Sequence, residues 1–367
     1  MTKVFNVNKS VEQYRNKSPL FFGEDNGLFD TVNKHYPQIW SIYKLMKSLD
    51  WDEGEFDYSQ CNTDFKTCPK PIYDMMIKTL AWQWEADSVA SRSIAPMLAP
   101  FITDSSLWAA WQRVSDNEAV HAATYSEIVR MSFDNPEEVI QEILSVKESL
   151  MRLTKVKEAF DKCHDTSHKY ALGQLTKEQS YDDLFLAVCA LLMLERIQFM
   201  ASFAITFTIC GTGFFQSIGK AIQKIAQDEL EVHVELDKEV LKVELGTERG
   251  KDAYNRLKPQ IKDLFSDIVN SELKWVEYLF SDGRELVGAN EQSVKSWVLF
   301  CANPVNKFLD LGMENDYKFP KHNPMKHLED WIDISKTQPA PQEQDNNQYK
   351  VGTIIRDDDN KDFDVDF

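Results

Sequence analysis

Hydrophobic residues recur along most of the chain at the three-to-four-residue spacing of amphipathic helices. The pattern predicts helices over about 31–48, 72–94, 104–131, 136–162, 181–210, 215–243, 251–283 and 291–312. Asp104 is a suitable N-cap for the third helix, and Pro69 and Pro71 suit the start of the second. Because no run of strands is indicated, the sequence predicts an all-α fold, built as a helical bundle.

Composition narrows the classes of function. The 367 residues, 43% of them hydrophobic, are enough for one large core or two ordinary ones. The net charge of -18 would repel phosphate backbones and disfavours a nucleic-acid-binding protein. The six cysteines form no C-x-x-C pair, and the first residues lack an apolar signal core. We therefore expect a reduced, cytoplasmic protein.

One stretch has to be tested as a membrane span. Residues 184–194 form an unbroken run of 11 apolar residues, and apolar character resumes after Gln198. Glu195 and Arg196 lie between the two apolar stretches, and a charge pair is costly at the centre of a bilayer. The sequence therefore predicts a helix buried in a soluble bundle, which leaves the buried Glu195 to be explained.

Four of the predicted helices carry ionisable side chains where the pattern calls for apolar ones. In chain order these are Asp87, Glu118 with His121, Glu195, and Glu229 with His233. A helix turns by about 100° per residue, so residues three or four positions apart share a face. Ionised carboxylates gathered in a bundle core would repel each other and lose their hydration. Two cations would remove both penalties, and the sequence therefore predicts a dinuclear metal site in the core.

Each motif alone has a plainer explanation. Glu195 could be the buried partner of Arg196, and Glu229 with Glu231 could lie on a solvated helix face. The occurrence of all the motifs on successive long helices favours the metal interpretation, because it matches the ligand pattern of ferritin-like di-iron and di-manganese bundles. Oxygen and imidazole donors without thiolate suit iron or manganese.

On these motifs the sequence resembles the small, radical-generating subunit of class I ribonucleotide reductase, a ferritin-like family. The matching segments are Pro19-Leu-Phe-Phe-Gly, Trp51, the four motif helices, Leu279-Phe-Ser-Asp-Gly, Ala340-Pro-Gln-Glu and Tyr349. The resemblance implies a homodimer whose di-iron centre, or a manganese equivalent, reacts with dioxygen and oxidises a tyrosine. The radical is then relayed to a large catalytic subunit, where ribonucleotides are reduced to deoxyribonucleotides.

The resemblance also implies a role for particular residues. The metal ligands carry over as Asp87, Glu118, His121, Glu195, Glu229 and His233. The radical tyrosine carries over as Tyr125, and its apolar pocket as Phe199, Phe203 and Ile225. The relay carries over as Trp51 and Asp228 near the metals, with Glu343 and Tyr349 towards the C-terminus.

We expect three regions along the chain. An N-terminal arm covers 1–30, the ferritin-like helical domain covers 31–335, and a flexible C-terminal tail covers 336–367. The tail is polar and acidic, and its few apolar side chains resemble anchors for a partner's groove. By resemblance, this tail docks the large subunit.

The last ligand pair departs from the family pattern. The family spaces it as Glu-x-x-His, whereas Glu229 precedes His233 by four positions and Leu230 occupies the usual place of the acid. Either Glu229 binds metal from an i, i+4 position, or the helix contains a one-residue π-bulge. A bulge could also redirect Glu231.

Two other functions compete with the reductase hypothesis. Another di-metal carboxylate oxidase of the ferritin-like class would share the carboxylates but would not need Tyr125 or Tyr349. An iron-storage bundle would have no reason for an acidic docking tail.

Overall fold

The computed structural model describes residues 11, 15–24 and 28–332, most of which lie in helices. We number the helices α1 Pro37–Ser48, α2 Ser59–Thr67, α3 Lys70–Leu98, α4 Ser105–Ser132, α5 Pro136–Leu144, α6 Lys147–Met151, α7 Thr154–Ala171, α8 Lys177–Met193, α9 Met200–Cys210, α10 Gln216–Gln227, α11 Val234–Leu245, α12 Glu248–Phe280, α13 Glu291–Phe308 and α14 Glu329–Ile332. Within this part of the chain the β-structure is limited to two isolated bridges, Phe21 to Ile102 and Leu286 to Ala289. The all-α prediction is confirmed.

Two π-helical segments interrupt the long core helices. Leu194–Gln198 joins α8 to α9, and Asp228–His233 joins α10 to α11. Short 3-10 turns lie at Glu53–Glu55, Ala99–Phe101 and Lys326–Leu328.

Several helix ends follow from local chemistry. The Asp104 carboxylate accepts hydrogen bonds from the backbone N–H groups of Ser106 (2.9 Å) and Leu107 (3.0 Å), so the predicted N-cap of α4 is confirmed. The predicted end of α3 before Pro96 is wrong, because α3 continues to Leu98. A proline inside a helix removes one backbone hydrogen bond, and here the helix continues for two residues beyond Pro96.

The prediction of a single helix over 136–162 is also wrong, since three helices, α5 to α7, occupy the region. The Ser145 hydroxyl donates to the Glu142 carbonyl (2.6 Å) at the end of α5, and such side-chain bonds compete with helix continuation. No helix was predicted between 48 and 72, whereas helix α2 lies within this stretch of the chain.

The apolar segment that resembled a membrane span lies at the centre of the bundle. Lys177–Cys210 has the length and composition to cross a membrane, but 89% of its most apolar 18-residue stretch is buried inside the protein. Helices α7, α11 and α12 pack against α8, and α3, α10 and α13 pack against α9. Protein therefore covers this helix, and its buried interior is where Glu195 lies.

Candidate metal centre

The six ligands predicted from the sequence converge in the core of the bundle. Helix α3 supplies Asp87, α4 supplies Glu118 and His121, and the two π-helical segments supply Glu195, Glu229 and His233. They form two overlapping groups, Asp87, Glu118, His121 and Glu229, and Glu118, Glu195, Glu229 and His233, each with donor atoms within 4.8 Å of one another. Glu118 and Glu229 belong to both groups, as expected for carboxylates that bridge two positions.

Both histidines present Nδ1 to this cluster. His121 Nδ1 lies 3.3 Å from Glu229 Oε1 and 3.6 Å from Glu118 Oε2. His233 Nδ1 lies 3.1 Å from Glu229 Oε2 and 3.4 Å from Glu118 Oε1. The other ring nitrogen of His121, Nε2, lies 3.1 Å from Asp228 Oδ2. A carboxylate at Nε2 favours the tautomer that leaves the Nδ1 lone pair free to bind a metal.

The electrostatics show how poorly these groups tolerate each other without cations. Burial, followed by repulsion from Glu118, raises the pKa of Asp87 well above its ordinary value. Burial and then Glu229 do the same to the pKa of Glu195. Burial also acts to raise the pKa of Glu229, but the hydrogen bond from Glu195 and the nearby His233 outweigh it and lower that pKa. Protons on some of the acids thus take the place that cations would otherwise fill.

The donor set fits two metal ions. Several polar atoms that face the cluster are buried without a hydrogen-bond partner, which is costly in a protein interior. They include both carboxylate oxygens of Asp87, Glu118 Oε2, His121 Nδ1, Glu195 Oε2 and Glu229 Oε1. These atoms are carboxylate oxygens and an imidazole nitrogen, the donors that iron and manganese bind.

The π-helical segment Asp228–His233 answers the question raised by the ligand spacing. A π-turn takes up one extra residue, so Glu229 and His233 both reach the cluster although four positions separate them. Glu231 is half-buried and lines a surface cavity beside Arg196 and Leu230, so it does not join the cluster.

Tyr125 lies one turn of α4 beyond His121 and is fully buried. Burial, and then the charge of Asp87, raise the pKa of its phenol well above the ordinary value. Phe199, Phe203 and Ile225 are buried as well, and the rings of the two phenylalanines stack 5.8 Å apart. That these three side chains form the pocket of the Tyr125 radical stays a prediction.

A continuous chain of contacts leads from the cluster towards the surface. The Trp51 indole N–H donates to Asp228 Oδ2 (2.7 Å), the same oxygen that faces His121 Nε2. The rings of Trp51 and His121 stack with centroids 6.0 Å apart. The two residues predicted to start the relay, Trp51 and Asp228, are therefore adjacent although 177 positions separate them. Glu343 and Tyr349 lie outside the described residues.

Sequence reasoning missed one buried acid next to the cluster. Asp237 is buried on α11, and burial raises its pKa well above the ordinary value while His233 acts in the opposite direction. Its position, one helical turn beyond His233 on the same face, is the signal that could have revealed it.

Comparison with known proteins agrees with this geometry. Residues 28–324 match the family model described as ribonucleotide reductase, small chain. The chain belongs to the ribonucleotide reductase small chain family. The resemblance drawn from the sequence motifs is confirmed, and with it the ferritin-like fold.

Similar proteins come from both sequence and structure. The ribonucleoside-diphosphate reductase subunit beta of Haemophilus influenzae is 25% identical, over 95% of each chain. The structure of a ribonucleotide reductase R2 subunit from Clostridium botulinum has a TM-score of 0.76 at 17% identity and covers 90% of this chain and 98% of that one. An R2-like ligand-binding oxidase with a Mn/Fe cofactor has a TM-score of 0.59 at 15% identity, over 76% of this chain and 95% of that one. The structural likenesses show that these proteins share the ribonucleotide reductase small-chain fold.

Proposed function

We propose that this chain is the radical-generating subunit of a ribonucleoside-diphosphate reductase and that Tyr125 carries the radical. Six residues, Asp87, Glu118, His121, Glu195, Glu229 and His233, would hold two iron ions, with manganese as the alternative metal. When bound, the ions would activate dioxygen so that it can oxidise Tyr125. The observation that carries the proposal is the hydrogen-bonded chain from Trp51 through Asp228 to His121, because a metal oxidase without a partner subunit does not need it.

The residues of the chain have distinct tasks. Tyr125 gives up an electron and its phenolic proton, and we assign Asp87, the carboxylate whose charge acts most strongly on the phenol, as the base for that proton. Burial of the Tyr125 ring keeps water and reductants away from the radical. During turnover an electron returns to Tyr125 by way of Trp51, while Asp228 holds the indole proton. Because a nearby base takes the indole proton when the electron leaves, no charged indole radical forms in this low-dielectric environment.

The test of this function is Tyr125→Phe. After anaerobic loading with ferrous iron and exposure to oxygen, the native protein should give an organic-radical signal in electron paramagnetic resonance. The variant should bind the same amount of iron and give no such signal, because phenylalanine has no ionisable hydroxyl. An unchanged signal in the variant would show that another residue carries the radical.

The remaining proposals concern partners and organisation. We propose a cytoplasmic homodimer with an arm over 1–30, a helical domain over 31–335 and a tail over 336–367 that docks the large catalytic subunit. Neither nucleic acid nor a membrane is a proposed partner. Removing the residues after Gln348 should abolish nucleotide reduction but leave the Tyr125 radical intact, because that removal takes away Tyr349 and the docking peptide. Loss of the radical as well would argue against separate roles for the helical domain, which forms the radical, and the tail, which docks the large subunit.

A further inference from the structure

A buried ion pair lies against the π-helical segment that carries Glu195. Arg152, in the short connection before α7, forms a salt bridge with Glu272 of α12, and both side chains are almost completely buried. The guanidinium lies between two indole rings, 4.0 Å from the centroid of Trp82 and 4.7 Å from that of Trp275. Burying such a pair costs desolvation energy that its own attraction often fails to offset. Its presence in the core therefore calls for an explanation beyond stability.

Both ends of the ion pair bind the backbone where the π-helical segment gives way to α9. The Arg152 guanidinium donates to the Gln198 carbonyl (2.6 Å), and the Gln198 side-chain amide donates to the Arg152 carbonyl (3.0 Å). On the other side, the Ala201 backbone N–H donates to Glu272 Oε1 (3.0 Å). The Trp275 indole N–H adds a bond to the Ser202 hydroxyl (3.1 Å). Three residues that follow Glu195, namely Gln198, Ala201 and Ser202, are thus tied to the same group of side chains.

This arrangement matches what a π-turn needs. A π-turn is wider than an α-turn and disturbs the regular ladder of backbone hydrogen bonds, so buried polar groups beside it require other partners. A charged donor and a charged acceptor make stronger hydrogen bonds than neutral groups and fix direction as well. The Arg152–Glu272 pair supplies one of each to this stretch of backbone.

We propose that Arg152 and Glu272 are positioning residues that hold the π-helical segment Leu194–Gln198 in the shape that places Glu195 in the metal centre. This inference rests on the proposed function. It makes a selective prediction, because Glu195 belongs to only one of the two donor groups. The position formed with His233 should depend on the ion pair, whereas the position formed with Asp87 and His121 should not.

The experiment measures the two positions separately. Apo-protein is titrated anaerobically with cobalt(II) and followed by its visible absorption, and crystals equilibrated at fixed cobalt(II) give the occupancy of each position by anomalous scattering. In Arg152→Met, which keeps a long side chain but removes the charge, the dissociation constant of the Glu195 position should rise about 10- to 100-fold. The other position should keep its native affinity. Arg152→Lys, which retains a cation for Glu272, should recover much of the lost affinity.

A matched control lies elsewhere in the same bundle. Arg249 pairs with the buried Glu244 (3.0 Å) but lies against neither π-helical segment, so Arg249→Met should leave both cobalt positions unchanged. If Arg152→Met weakens both positions equally, or neither, the inference is overturned. If Arg152→Met does not fold, Glu272→Gln decides by the same criterion. Native protein that binds no cobalt would instead refute the proposed function itself.

Discussion

At the scale of single residues, two tryptophans near the metal centre have opposite electrostatic surroundings. The Trp51 indole N–H donates to the Asp228 carboxylate, whereas the face of Trp82 lies 4.0 Å from the Arg152 guanidinium. A carboxylate favours loss of an electron and a proton from the indole that it contacts, and a cation over the ring opposes that loss. We therefore expect the electron that returns to Tyr125 to pass through Trp51 rather than through Trp82.

Asp228→Asn tests the role of the carboxylate in this exit. Asparagine can still accept the Trp51 hydrogen bond but cannot take up a proton at neutral pH. We expect nucleotide reduction with the large subunit to fall by about 100-fold or more, in line with the loss of a positioned base. The Tyr125 radical should still form, and its yield is measured by electron paramagnetic resonance.

Trp51→Phe is the companion variant, since it removes the oxidisable ring and leaves Asp228 in place. It should give the same pattern of a normal radical and little reduction. If either substitution also removed the radical, the pair would have to act on the metal centre through His121 instead.

At the scale of elements, the two π-helical segments contact each other and each contributes carboxylate to the cluster. The π-helical segment Asp228–His233 takes up the extra residue within itself. The residues of α11 that follow therefore keep the same side of the helix buried. The unusual ligand spacing is thus a local change in helix geometry and leaves the ligand set intact.

Deleting Leu230 tests this interpretation. The deletion restores a Glu-x-x-His spacing between Glu229 and His233, so the segment should relax to a regular α-helix that still binds two metal ions. Thermal unfolding of the apo-protein should occur at the native temperature or above it.

Deleting Lys238, a half-buried residue within the regular part of α11, is the control. It should rotate the buried residues that follow by about 100° and lower the unfolding temperature markedly. If the Leu230 deletion is as damaging as the Lys238 deletion, the π-segment is required for more than its register.

Helical periodicity predicted the core helices because each has one continuous apolar face. The breaks inside 136–162 were not predictable in this way, since they depend on local competition such as the Ser145 hydroxyl bond to a backbone carbonyl. The π-helical segment at Glu195 left no trace in spacing, because that helix carries a single ligand.

At the scale of the whole molecule, the metal centre is a set of buried groups that hold extra protons. Burial opposes the charging of His233, but the Glu229 carboxylate beside it outweighs this and raises the pKa of the imidazole to about 10. The pKa values of Asp87 and Glu195 are raised as well, mainly by burial. At neutral pH the metal-free protein therefore carries protons that a bound cation must displace.

Metal binding should consequently release protons and strengthen as the pH rises towards about 10, the pKa of His233, because protons compete for the same donor atoms. Cobalt(II) titrations at several pH values would measure the affinity, and a pH indicator in weakly buffered solution would count the protons. Tyr125→Phe is a suitable control, since it leaves the six ligands in place. An affinity independent of pH would mean that the ligands are already deprotonated in the apo-protein.

The six ligands could be predicted because each interrupts an apolar helix face and because together they match the ligand pattern of ferritin-like di-metal bundles. The sequence did not predict Arg152, Glu272 or Asp237 as parts of the same centre. Arg152 reaches Gln198 across 46 positions of sequence, and no spacing rule describes such a contact. Helical spacing finds groups that share an element, whereas the supports around the site come from elements that meet only in the folded bundle.

The central helix Lys177–Cys210 also has a consequence for biosynthesis. Its apolar surface is covered partly by α12 and α13, which the ribosome produces later. A nascent chain that ends before Glu248 lacks both helices and therefore exposes an apolar segment that can bind chaperones or enter detergent micelles. We expect fragments truncated there to aggregate when expressed alone, and fragments extended through Phe308 to stay in solution.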